Sequence, residues 1–135
     1  MKVIDASNLI VGRLASFVAK AALLGERIVV VNCEKAVFSG NKASMLAKSR
    51  MRRSLGGPKT GPFFPRQPDR MIRRVIRGML PYKQERGSKA FRNTMCYLGV
   101  PEEYKGEKLI SLKKIDASKL PNYKFITLER LCKLI

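Results

Sequence analysis

A chain of 135 residues with 45% hydrophobic content is long enough to bury a core without disulfides or metals, and it is not a disordered basic tail. Its formal net charge of +18 and pI near 10.4 point to a polyanionic partner, nucleic acid first and an anionic membrane second. No apolar run approaches the ~18 residues of a spanning helix; histidine is absent, and Cys33, Cys96 and Cys132 are far apart with no CxxC, which removes most zinc-site patterns and the common His-based catalytic arrangements.

The first residues acquire an acid and polar groups too early for a secretory signal, so a cytoplasmic location is expected. Val3 to Ser7 reads as a short strand entering a loop. Val11, Leu14, Ala15, Val18, Ala21 and Ala22 recur at helical spacing, which predicts a helix near Val11–Leu24 stopped by Gly25. Ile28 to Cys33 is a continuous apolar, largely β-branched run. A strand oily on both faces is covered on both, which points to a parallel sheet in an α/β layer. Strand, helix, strand at this spacing reads as a right-handed βαβ unit.

Such an opening could cradle a phosphate. However, Gly12 stands without a GxGxxG, Gly40-Asn41-Lys42 lacks the upstream glycine of a Walker A loop, and Asp5 and Ser7 have no partner base. A nucleotide enzyme is therefore disfavoured, and no cofactor is expected. The three cysteines sit in strand-like or helix-like runs and read as small buried hydrophobes.

Ala36 to Phe38 reads as a further short strand, ended by Ser39-Gly40. From Asn41 or Lys42 to about Leu55 the pattern is helical, with Met45, Leu46 and Met51 inward and Lys48, Arg50, Arg52 and Arg53 outward. Gly56 to Pro68, with three glycines and four prolines, is a loop. Phe63 and Phe64 within it either stack on bases or pin the loop to the core, and pinning is favoured because aromatics are more often buried.

Arg70 to Pro81 has two faces. Plotted as a helix, Arg70, Arg73, Arg74 and Arg77 fall within an arc of roughly 100°. Met71, Ile72, Val75, Ile76 and Met79 fill the other side. Pro68 and Asp69 suit the start of this helix, and Gly78 and Pro81 its end. Solvated basic faces usually alternate acid with base, and this one does not. Gly78 permits close backbone approach, to RNA or to a neighbouring strand, or is a plain stop.

Tyr82 to Lys89 is a second basic turn. A short helix begins near Ser88, which can cap it, and runs to Asn93. Met95 to Leu98 is another strand, and Glu102 to Lys119 is polar, with Leu109, Ile110 and Leu112 as local anchors. Phe125-Ile126 leads to Thr127, an N-cap, and Leu128, Leu131, Cys132 and Ile135 then share one helical stripe. With no internal repeat or long linker, residues 1–135 read as one domain.

The charge is concentrated. Lys42 to Arg92 holds 15 basic residues against two acids, a net +13 of the total +18 in 51 residues, and ten of the 15 are arginine. Arginine grips phosphate with a planar fork and stacks on bases, so this enrichment argues for fixed contacts to a structured RNA. A Pro/Gly loop can follow an irregular surface of phosphates and 2′-hydroxyls. No zinc finger, basic zipper or RNA-recognition sheet motif is visible, so recognition is expected through shape and backbone.

Arg77-Gly78-Met79-Leu80-Pro81, followed by Lys83 and Arg86-Gly87, closely resembles the signature of the thirteenth-protein family of the large ribosomal subunit. Ile4-Asp5-Ala6 with Gly12-Arg13-Leu14-Ala15, then Val30-Val31-Asn32, Glu34 to Val37, Ser39-Gly40-Asn41 and Tyr97-Leu98-Gly99 extend the resemblance, in order, along most of the chain. The arginine-rich helix and Arg86-Gly87 are more similar to archaeal and eukaryotic members than to bacterial ones. The resemblance implies a three-layer α/β/α domain around a mainly parallel sheet of about four strands. It also implies binding to large-subunit rRNA, a role in subunit assembly and neighbouring ribosomal proteins as partners, with no membrane, small-molecule substrate or catalysis.

The expected contacts are Arg70, Arg73, Arg74 and Arg77 on one helix face, with Arg73 and Arg74 both outward. Arg50, Arg52, Arg53, Lys59 and Arg66 extend them along the preceding helix and loop, and Lys83, Arg86, Lys89 and Arg92 continue them past the Gly-Met-Leu-Pro turn. The rival reading is a free regulatory RNA-binding protein acting off the ribosome.

Overall fold

The computed structural model describes the backbone of residues 1–135 and every side chain but that of Lys113. In chain order the elements are β1 (Lys2–Asp5), α1 (Val11–Leu23), β2 (Ile28–Val31), β3 (Val37–Ser39), α2 (Lys42–Ser54), α3 (Pro68–Gly78), α4 (Glu85–Arg92), β4 (Thr94–Cys96), β5 (Leu109–Ile110), β6 (Phe125–Thr127) and α5 (Leu128–Leu134).

β1 and β2 pair in parallel, Val3 with Val29 and Ile4 with Val30. β4 joins β2 and β5 joins β1, both in parallel, giving the order β4-β2-β1-β5. Because side chains alternate along a strand, Ile4, Ile28 and Val30 enter the main core, while Val3, Val29 and Val31 form a second cluster on the other face. α1 packs on α3 and α4 over the main core. Tyr97, Val100 and Tyr104, around the 3-10 turn Glu102–Tyr104, cover the second face. The fold is thus α/β, three-layered around a four-stranded parallel sheet. β3 and β6 form a separate antiparallel pair.

Local chemistry explains most boundaries. Gly25 takes a left-handed φ of 91°; its N–H donates to Ala22 and that of Glu26 to Ala21, so α1 closes in the double hydrogen-bonded manner that favours glycine. β2 ends two residues before Cys33 because Asn32 turns to a left-handed φ of 54°, and a 3-10 turn then begins at Cys33. Asp5 fastens that corner: its Oδ1 accepts from Asn32 Nδ2 at 2.9 Å, Ser7 Oγ at 2.7 Å and the Ser7 amide at 3.0 Å. Burial alone would raise this carboxyl, but the hydrogen bonds from Asn32 and Ser7, with Lys35 nearby, outweigh it and hold it below its ordinary 3.8.

A carboxyl depressed on folding contributes stability that is present above its unfolded value and lost as pH falls through the folded one. Asp5→Ala is therefore expected to cost roughly 1–2 kcal/mol at neutral pH. In urea melts the gap between variant and wild type should close below about pH 4; a gap that persists there would mean that the carboxylate is not the source.

Several sequence expectations need correction. Leu109 and Ile110 are not merely local anchors; they form the edge strand β5. α4 starts at Glu85, with Gln84 in the cap position, and Ser88 lies inside it with its N–H bonded to the Gln84 carbonyl. Thr127 does stand at the cap of α5, but its side chain makes no capping hydrogen bond. Met51 is 66% exposed, because α2 meets the body along a narrow line of Met45, Leu46 and Ser49, and Met51 points away from it. Met79 is 42% exposed, since it follows the last helical residue of α3 and leaves the helical periodicity. Cys33 and Cys96 are buried, but Cys132 only half so.

Candidate nucleic-acid interface

α3 carries the centre of the basic surface. Met71, Ile72 and Ile76 are buried in the main core. Each of the two isoleucines, fully buried, contributes roughly 1.5–3 kcal/mol. Anchored by this face, the helix presents its arginines to a groove. Arg70 and Arg77 are exposed. Arg73 and Arg74 are half-buried, which corrects the expectation that both project outward.

The reason is aromatic. The Arg73 guanidinium lies over the Phe91 ring at 4.7 Å, Arg74 over Phe64 at 5.0 Å, and Arg77 over Tyr82 at 5.2 Å. Arg74 also donates from Nη1 to the Phe63 carbonyl at 3.2 Å. Such stacking is worth about 0.5–1 kcal/mol at exposed sites. It also fixes the plane of each guanidinium while leaving N–H edges for an anion.

All four arginines line one open groove of about 310 Å³, together with Phe63, Pro65 and Phe91. No acid lines it. Asp69, one helical turn before Arg73, has a buried Oδ1 without a partner, and Arg73 Nε is likewise buried and unpartnered. The two loop aromatics divide: Phe64 packs against the core, as pinning requires, while Phe63 is 75% exposed beside the arginines.

The other expected residues spread from this centre. Arg52 and Arg53 are exposed in the last turn of α2, where the helix dipole favours cations. Arg50 donates from Nε and Nη2 to the Leu134 carbonyl at 3.4 and 3.2 Å, and Arg66 from Nη2 to the Ile135 backbone oxygen at 3.3 Å. These two therefore tie α2 and the loop to the end of α5. Lys59 is exposed in a tight turn where the Gly57 N–H donates to Thr60 and the backbones of Gly56 and Gly61 touch.

Lys83 and Arg92 are exposed. Lys89 pairs with Glu85 at 2.7 Å, but both side chains are so exposed that the pair is worth little. Arg86 lies apart from the groove, lining a shallow depression over α1 with Ser16, Lys20 and Met79. Sequence reasoning missed Phe91 and Tyr82 as arginine platforms. The signal available was that four of the chain's aromatics, Phe63, Phe64, Tyr82 and Phe91, fall inside the basic segment.

The carboxyl end of the parallel sheet, where α/β enzymes bind nucleotides, is built over. The Ile10 N–H donates to Ile115 at 3.2 Å and that of Ala117 to Asn8 at 2.9 Å, and Leu9 bridges Asp116. The thiols are not poised as nucleophiles. Hydrogen bonding with the Cys96 thiol, then burial, pushes Cys33 far up, and burial with nearby Asp69 raises Cys132 to about 11. Among the described residues no helix is long and apolar enough to cross a membrane.

Comparison with known proteins finds a matching family profile and several relatives. The family profile described as Ribosomal protein L13 matches residues 1–103. Relatives named Large ribosomal subunit protein uL13 include one from Methanosarcina barkeri, 49% identical over 95% of this chain and 92% of that protein. The relative from Methanococcoides burtonii is 44% identical over 95% and 92%. That from Methanococcus maripaludis is 55% identical over 76% and 77%.

Proposed function

The chain belongs to the ribosomal protein L13 family, whose members are structural ribosomal proteins rather than enzymes, and on that premise we propose that it binds large-subunit rRNA and supports assembly of the subunit. The observation that carries this reading is the groove of Arg70, Arg73, Arg74 and Arg77, three of them seated on aromatic rings and none facing an acid in that groove. A surface of this kind repels itself until phosphates neutralise it.

Arg52, Arg53 and Lys59 lengthen the contact along α2 and the loop, and Lys83, Lys89 and Arg92 along α4. Arg50 and Arg66 act at its edge while holding α5, and Arg86 reaches RNA or a neighbouring protein from the α1 side. Residues 1–135 act as one domain, with 42–92 as its RNA-facing segment. The place of action is the cytoplasmic ribosome.

Sedimentation of the native protein from its own cells tests the proposal. Co-migration with the large subunit in moderate and in high salt is the expected result. A slow-sedimenting pool holding most of the protein at moderate salt would favour the free RNA-binding regulator instead.

A further inference from the structure

A second cavity lies beside the arginine groove, between α2, α3 and α5, with a volume of about 320 Å³. Its walls are apolar, with Phe38, Met45, Phe64 and Val75 among them. Lys48, Arg52 and Arg74 also line it, and no acid does. Arg74 borders both cavities, and its contacts with Phe63 and Phe64 make those loop residues the partition between them. A polyanion lying in the first groove therefore reaches the edge of the second at Arg74.

Gly78 also lines this cavity, and nothing in the protein explains its missing side chain. A Cβ there would meet no atom within 4 Å. The residue is not in the left-handed region, and the cap that follows, Met79, is right-handed at φ −96°. Alanine would serve the end of this helix better. Among the α3 residues that line the cavity, Met71, Arg74, Val75 and Gly78, only Gly78 presents no side chain to it.

Resting on the rRNA reading above, we propose that this cavity receives one everted nucleotide of the rRNA. Its base enters the apolar walls beside Phe64, its phosphate lies against Lys48, Arg52 and Arg74, and its sugar passes over Gly78. Unpaired bases of structured RNA are recognised in this way, splayed out and stacked on aromatic or guanidinium planes. The cation ring with no counter-charge selects a nucleotide over an apolar side chain of a neighbouring protein. The volume, at the lower end of the roughly 300–1,000 Å³ of small-molecule sites, suits a single ring system.

The test is binding of full-length Gly78→Leu to large-subunit rRNA freed of proteins, across a salt series. The melting temperature should be unchanged or higher, and the affinity roughly tenfold or more lower, the size of one lost base stack. The slope of log affinity against log salt should fall by no more than about one unit, because the only phosphate that can leave with the base is its own. Unchanged affinity, or a fall in slope of about two units or more, would overturn the cavity proposal while leaving rRNA binding intact. Failure of the wild type to bind would overturn the rRNA reading itself.

Ultraviolet crosslinking of the wild-type complex decides the matter independently of how the variant folds. Base adducts on Phe64 or Phe38 support the proposal. Adducts confined to Phe63 and Phe91, or crosslinks in purified subunits from this cavity to another protein, overturn it.

Discussion

Alanine at both Arg73 and Arg74 is expected to weaken binding to protein-free large-subunit rRNA about a hundredfold at moderate salt, taking ~1.5 kcal/mol for each charge-assisted contact. The salt slope should fall by roughly one to two units, at about 0.7–0.9 per phosphate. The same variant should also lose stability. Arg73 covers Phe91 and Arg74 covers Phe64, so both truncations uncover aromatic surface, and the second removes a hydrogen bond to the loop at Phe63. About 1–2 kcal/mol is the expected cost for the pair.

Arg70→Ala with Arg77→Ala provides the comparison. These two are exposed, so the slope should fall by a similar amount with a smaller loss of stability. Filter binding over a salt series with thermal melts of both variants reads all four quantities. An unchanged slope in both would mean that this face does not meet phosphate.

Gly87→Ala should destabilise the protein by about 2–3 kcal/mol, lowering the melting temperature by roughly 10 °C. The sign is informative, because alanine is the better helix former by about 1 kcal/mol and Gly87 lies within α4. Packing overrides propensity here. A Cβ on Gly87 would stand 2.1 Å from the Pro81 carbonyl oxygen and 2.9 Å from the Tyr82 amide nitrogen, and both are backbone. α4 would have to move off the turn after α3, taking Phe91 from beneath Arg73. Gly78→Ala is the control: with open space around it, it should leave stability unchanged or raise it by up to ~1 kcal/mol. If Gly87→Ala melts at or above the wild type, the contact between α4 and Pro81 is looser than the structure has it.

These two cases show what a sequence can and cannot disclose. The two faces of α3 follow from side-chain periodicity alone, because Met71, Ile72 and Ile76 recur at helical spacing opposite the arginines. β2 was legible because four consecutive apolar residues, Ile28 to Val31, are buried on both faces of a parallel sheet. Both signals are local. The role of Gly87 depends on a carbonyl six residues earlier that returns beside it through a turn, and no periodicity encodes that approach.

The same holds for the arginine platforms. Arg73 and Phe91 are on different helices, and Arg74 and Phe64 meet across a loop with no regular spacing. Charge composition located the basic surface to a 51-residue segment but could not sort its members. Arg86 turned to the α1 side and Arg50 and Arg66 to the end of α5, because the packing of α2 and α4 sets those directions. Strand β5 escaped for a simpler reason: Leu109 and Ile110 are two residues, too short for alternation to register.

In the proposed complex the arginine face of α3, and not merely the net charge, meets rRNA. Arginine-selective labelling with phenylglyoxal, read by mass spectrometry on the free protein and on intact large subunits, reports on that contact. Arg70 and Arg77 are expected to react in the free protein and to be protected in the subunit, with Arg52 and Arg53 following them. Arg70 and Arg77 reacting equally in both forms, while Arg13, Arg27 or Arg130 outside the basic segment become protected, would mean that another surface meets the rRNA.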